Sequence, residues 1–178
     1  MTDDARPEGE WRPYASTGDT PQDAAAALAR LRARGWTLGV AESLTGGLLA
    51  AALISVPGAS ATVRGAIVAY ATPLKHSLLG VDAELLAEHG AVHPEVARQM
   101  ADGVRRAVAI DGRPAEVGIA TTGIAGPDSP DGQPVGTVHI GVRTPDDSRV
   151  LTLRLDGDRE SIRTESVGYA LAALSSMV

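Results

Sequence analysis

Apolar residues recur along this chain at two spacings, and each predicts a different element. In TPQDAAAALARLRARG (20–35), Ala and Leu alternate with charged residues at helical intervals. Thr20 reads as the N-cap, Pro21 as the first helical residue and Gly35 as the stop. WTLGVAES is short and ends in polar residues, which predicts a strand; LTGGLLAAALISV then predicts a tight turn and a buried helix. GAIVAYAT is an unbroken apolar run and a second strand, with short helices expected over 73–79 and 82–88. In HPEVARQMADGVRRAVAI, Val96, Met100, Val104 and Val108 step by four along one side of a helix opening at Pro94. EVGIATTG is the next strand, and VGTVHIGVRTPDDSRVLTLRLDG gives two more, whose short Pro-Asp-Asp-Ser link implies antiparallel pairing. Asp158 then caps a closing helix through RESIRTESVGYALAALSSM.

Strands separated by helices early and a hairpin late predict a three-layer α/β/α sandwich on a mixed sheet of about five strands. The 178 residues have room for one domain, read as 20–178, after a disordered leader over 1–19. With hydrophobic residues at 44% and no phenylalanine, the core must be built from closely packed small aliphatics.

A net charge of −6, with arginines scattered along helices, argues against direct nucleic-acid binding, which needs a basic face. The absence of cysteine excludes disulfides, thiolate metal sites and a thiol nucleophile. The acidic, proline-containing start lacks the basic and apolar regions of a signal peptide, and no window reaches membrane-spanning length, so no membrane association and a cytoplasmic location are expected.

Candidate chemistry lies in the turns after the strands, where open α/β sheets bind ligands. AESLTGG, TTGIAGP and GDRES are rich in glycine and hydroxyls. Gly46, Gly47, Gly123 and Gly126 would let backbone N–H groups approach a ligand, and a helix N-terminus would favour an anion such as a nucleotide phosphate. The plainer reading of each glycine is tight strand-to-helix packing. His89 and His93 stand four apart, but Gly90 and Pro94 break any helix there, so His93 reads as an N-cap and no metal site is expected. His76 and His139 are isolated.

What remains is hydroxyl and amine. A serine attacks an amide only if a base takes its proton, and a lysine is that base when burial or nearby positive charge favours its neutral form. Lys75 is the only lysine and follows an apolar strand rather than lying on a charged helix face. Ser60 follows a Pro-Gly turn at the other end of that strand, so the two meet only if its segment folds back; otherwise Ser60 is a turn cap and Lys75 a surface charge. Ser43 also ends a strand at a turn and is a rival nucleophile.

Taken in order, AESLTGG, VPGAS, VAY with Lys75 five residues on, LLGV, HGAV, TGIAGPD, PVGTV and GDR resemble the C-terminal domain family of the competence/damage-inducible protein CinA, whose stand-alone form is nicotinamide-nucleotide amidase. The resemblance runs from about residue 24 to residue 174. It implies a serine amidohydrolase with a Ser/Lys pair and no metal or cofactor, converting nicotinamide mononucleotide to nicotinic acid mononucleotide and ammonia. By motif position it implies Ser60 as nucleophile and Lys75 as base, with Ser43, Tyr70, Thr122 and Arg159 as further site residues. Ser43, Thr122 or backbone N–H groups at these turns would hold the oxyanion, Tyr70 would orient Lys75 or stack on the pyridine ring, and Arg159 suits the substrate phosphate. The chain departs from the family at residues 71–74, at Ala59 and at His93, which bears on substrate fit. The resemblance also implies a homo-oligomer. The competing expectation is a non-catalytic nucleotide-binding module or a partner of the recombination machinery, as the family name implies.

Overall fold

The computed structural model describes residues 17–129 and 132–178; most of the expected leader, 1–16, lies outside the described residues. In chain order the elements are α1 (Thr20–Ala33), β1 (Leu38–Glu42), α2 (Leu48–Ile54), a 3₁₀ turn (Ala59–Ala61), β2 (Val63–Val68), α3 (Thr72–Leu79), α4 (Ala83–His89), α5 (Pro94–Ala107), β3 (Val117–Gly123), β4 (Thr137–Arg143), β5 (Ser148–Arg154) and α6 (Arg159–Met177). The sheet order is β2-β1-β3-β4-β5. β1 pairs parallel with β2 and β3, while β3, β4 and β5 run antiparallel to one another, so the sheet is mixed.

Helices cover both faces. On one, α1, α2 and α6 bury Leu28, Leu31, Leu49 and Leu171 against Leu38, Val40, Ile119 and Ile140. On the other, α5 lays Val96, Met100 and Val104 over Ala41 and Ala120, with Leu79 of α3 beside them. The four-residue steps read from the sequence are thus the buried stripe of α5. The sandwich has three layers.

Glycine sets how closely α5 approaches the sheet. A Cβ at Gly118 of β3 would lie 1.8 Å from the carbonyl oxygen of Ala101, and one at Gly141 of β4 would lie 2.3 Å from that of Ala97. Helix and strand backbones are in direct contact there, which a phenylalanine-free composition permits.

Two local expectations are corrected. The N-cap of α1 is Asp19, not Thr20: its carboxylate accepts from the Gln22 N–H at 3.1 Å, a better cap than a hydroxyl already inside the first turn. The apolar run 65–72 does not form one strand, because β2 ends at Val68 and Thr72 with Pro73 starts α3. β2 is also an edge strand with Val68 exposed, although its composition matches a buried one. Among the described residues no helix is long and apolar enough to cross a membrane.

Candidate active site

The parallel strands β2, β1 and β3 end together, and the segments leaving them enclose a pocket of about 210 Å³. Its lining includes Ser43 and Leu44 after β1, Tyr70 and Lys75 after β2, Ala91 and Val92 before α5, Thr122 and Gly123 of β3, Asp128, and Arg159 of α6.

Lys75 is fully buried. Its Nζ donates to Ser43 Oγ at 3.1 Å and to the carbonyl of Ala69 at 2.8 Å. The first turn of α3, opened by Pro73, aims this side chain back toward the end of β1. Ser43 is itself nearly buried and immediately follows β1, with its N–H bonded to the Thr121 carbonyl at 3.0 Å.

The turn carrying Ser43 is held from three sides. Thr45 and Thr121 share a hydroxyl hydrogen bond of 2.8 Å. Arg163 of α6 donates from Nε to the Leu44 carbonyl at 2.9 Å and from Nη2 to that of Thr45 at 3.1 Å. Glu42, fully buried, accepts the N–H groups of Gly47, Leu49 and Ala50 at 2.9, 3.1 and 2.8 Å. A carboxylate is the group best suited to the unpaired N–H groups and positive dipole end that open a helix.

That arrangement corrects the expectation for Gly46 and Gly47. The Gly46 N–H is bonded to the Ser43 carbonyl at 3.1 Å and the Gly47 N–H to Glu42. The chain's own carboxylate occupies the place a ligand anion would take. Both glycines have positive φ, 59° and 100°, and do not line the pocket, so they serve the turn.

Ser60 is not brought to Lys75 within the chain. It is exposed on the 3₁₀ turn before β2 and lines a separate cavity of about 440 Å³ with Ile54, Val56 and Arg64. β2 runs extended between the two, and its preceding segment does not fold back over it. The Ser60–Lys75 pairing implied by the motif positions is therefore replaced in this structure by Ser43–Lys75.

The other anticipated residues are in the pocket wall. The Thr122 hydroxyl donates to the Ala91 carbonyl at 2.7 Å, so its proton ties β3 to the segment before α5 and is not offered to an oxyanion. Gly123 lines the pocket, and a Cβ there would come within 2.6 Å of the Thr137 carbonyl oxygen, so close pairing with β4 also requires glycine. Arg159 donates from Nη1 to the Gly126 carbonyl at 2.8 Å and from Nη2 to the hydroxyl of the exposed Tyr70 at 3.0 Å.

The histidines take structural places. His93 caps α5, its Nδ1 accepting from the Glu95 N–H at 3.2 Å, and its ring stacks on that of His89 with centroids 4.7 Å apart. His139 of β4 is buried and shares a 2.9 Å hydrogen bond with Thr152 Oγ1. Burial, with a further push from His93, holds its pKa down at about 4. Among the described residues no three His, Cys, Asp or Glu side chains cluster as metal ligands do.

Glu42 and Arg163 were not singled out from the sequence. Glu42 had a readable signal: strand alternation puts it in phase with the buried Leu38 and Val40, and an acid in that phase needs donors. Arg163 had none, because it is one of several polar positions on α6.

Fold and pocket place the chain among three-layer α/β proteins with a mixed sheet and a pocket at the carboxyl ends of its parallel strands. More particularly, residues 21–178 match the CinA C-terminal domain, and the chain belongs to that family. A CinA-like protein of Frankia casuarinae is 51% identical over 151 residues, covering 85% of this chain and 34% of the relative. One from Gloeobacter violaceus is 48% identical over 164 residues, covering 90% and 37%. The chain thus spans about a third of the length of these curated relatives. Among solved structures, a competence-damaged protein (CinA) superfamily protein from Escherichia coli matches with TM-score 0.86 and 30% identity over all of both chains. The competence damage-inducible protein A of Klebsiella pneumoniae matches with TM-score 0.81 and 37% identity, covering 88% of this chain and 95% of the other.

Proposed function

We propose that this domain is a serine amidohydrolase that deamidates a pyridine nucleotide, releasing ammonia from the carboxamide of nicotinamide mononucleotide. The observation that carries the reading is the fully buried Lys75 amine, 3.1 Å from the Ser43 hydroxyl on the wall of an open pocket. Desolvation disfavours the charged form of an amine, and a neutral amine at this distance accepts the proton of the hydroxyl.

In the reaction Ser43 Oγ bonds to the carboxamide carbon while its proton passes to Lys75 Nζ. The carbon–nitrogen bond breaks as Lys75 returns the proton to the departing nitrogen, which leaves as ammonia. Water then gives a proton to the again neutral amine as its oxygen bonds to the acyl carbon, and the ester bond breaks as Lys75 returns that proton to Ser43 Oγ, releasing the acid and restoring both groups. The N–H of Leu44, which follows the attacking serine, lines the pocket and makes no hydrogen bond among the described residues, is the donor we assign to the oxyanion, a contribution of about 3 kcal/mol for one good donor. At the pocket mouth, Arg159 has the forked donors that suit the phosphate, and Tyr70 offers a face to the pyridine ring.

The test is ammonia release from nicotinamide mononucleotide by the wild type and by Ser43→Ala, Lys75→Met and Ser60→Ala. Loss in the first two with retention in the third is the expected pattern. Full turnover in Ser43→Ala or Lys75→Met would end the assignment. Nucleotide-dependent thermal stabilisation with no ammonia released would instead fit a non-catalytic nucleotide-binding module.

A further inference from the structure

Glu42 stands at a junction beside the reacting groups without lining the pocket. A carboxyl group this deeply buried is costly unless hydrogen-bond partners surround it. Here three N–H groups at the start of α2 do so, and their bonds close residues 43–47 back onto the end of β1. That loop begins with Ser43. The main chain of the same residue reaches the other partner: the Glu42 carbonyl accepts the Ala69 N–H at 2.8 Å, and the Ala69 carbonyl accepts from Lys75 Nζ at 2.8 Å. Hydroxyl and amine, 32 positions apart in sequence, are both located relative to one residue.

We propose that Glu42 is the positioning residue of the Ser43–Lys75 pair, fixing the serine's turn through its carboxylate and the lysine's anchor through its carbonyl. The proposal rests on reading Ser43 and Lys75 as the reacting groups. The carboxylate suits this task because it accepts all three N–H groups at once; an amide of the same shape has one accepting oxygen and would turn its own N–H₂ toward a donor. Glu42→Gln leaves the carbonyl link intact and therefore isolates what the carboxylate does.

The experiment combines kinetics with a spectroscopic probe of Lys75. Because it is the only lysine, isotope-labelled lysine gives one side-chain NMR resonance to follow against pH. Glu42→Gln is expected to melt cooperatively and to hold KM for nicotinamide mononucleotide within about threefold, an interaction lost mainly in the transition state. Its kcat is expected to fall about ten- to a hundredfold, the scale of a misplaced reacting group. The lysine resonance is expected to titrate with a displaced midpoint. Glu42→Asp keeps the charge but withdraws it by one methylene; it should move the same quantities in the same direction, and it serves if the glutamine variant does not fold. A folded variant with wild-type kcat and a wild-type lysine titration curve overturns the proposal. If the wild type releases no ammonia, the amidase reading fails separately and the lysine titration alone decides whether Glu42 positions the pair.

Discussion

Arg159 and Tyr70 meet across the mouth of the pocket, guanidinium Nη2 to phenolic oxygen at 3.0 Å, while the same guanidinium reaches the Gly126 carbonyl at 2.8 Å. The first residue of α6 thereby joins the segments leaving β2 and β3. Because the fork geometry serves both contacts and suits the phosphate of the proposed substrate, Arg159→Lys is expected to raise KM for nicotinamide mononucleotide about tenfold. The phosphate-free nucleoside should show a smaller change, and Tyr70→Phe should act weakly on both. Steady-state kinetics on the two substrates checks this.

Lys75→Met keeps a buried chain of similar length and removes the amine proposed as the base. Turnover is expected to fall by about two to four orders of magnitude, the range for a lost general base, while nucleotide binding followed by calorimetry persists.

Ser60 lies outside the pocket on the far end of β2. Ser60→Ala is therefore expected to change kcat/KM by less than about twofold, comparable to a surface substitution remote from the chemistry.

Acid should weaken the fold through His139 before most carboxylates titrate. Its ordinary value of 6.5 is lowered to about 4 in the folded chain by burial and by His93. Between those values the unfolded chain binds a proton that the folded chain refuses, so stability is full above about pH 6.5 and falls as pH drops toward 4, by up to ~3 kcal/mol. Denaturant melts of the wild type and His139→Gln at about pH 7 and about pH 4.5 measure this, and the variant should show the flatter dependence.

Gly118→Ala forces a methyl to within 1.8 Å of the Ala101 carbonyl oxygen. The backbone of α5 must shift to admit it, at a cost of about 3 kcal/mol, visible as a lowered thermal midpoint.

The layering could be read from the sequence because it rests on periodicity. The four-residue steps of α5 and the short link between β4 and β5 each left one arrangement open. The role of β2 at an edge could not be read, because an apolar run is the same whether one neighbour pairs with it or two. Of the residues that motif order pointed to, the pocket wall gathers Lys75, Ser43, Tyr70, Thr122 and Arg159 but not Ser60. Which serine meets the amine depended on whether the segment before β2 folds back, and that is decided by packing between α2 and the sheet rather than by any local pattern. For Gly46 and Gly47 the motif suggested an open anion site, but side-chain reach decided otherwise: Glu42, five residues before Gly47, is long enough to fill it. Arg163 acts at a distance of 118 to 119 positions, a contact no local spacing encodes.

At Gly118 and Gly141 the separation between α5 and the sheet is set by main-chain atoms, so no exchange of side chains can thin that layer and any side chain added there displaces the helix. A chain built this way has a floor of fixed height beneath its pocket. Room for a larger or differently shaped substrate has to come from the segments leaving the strands, where lengthening a turn leaves the rigid slab untouched.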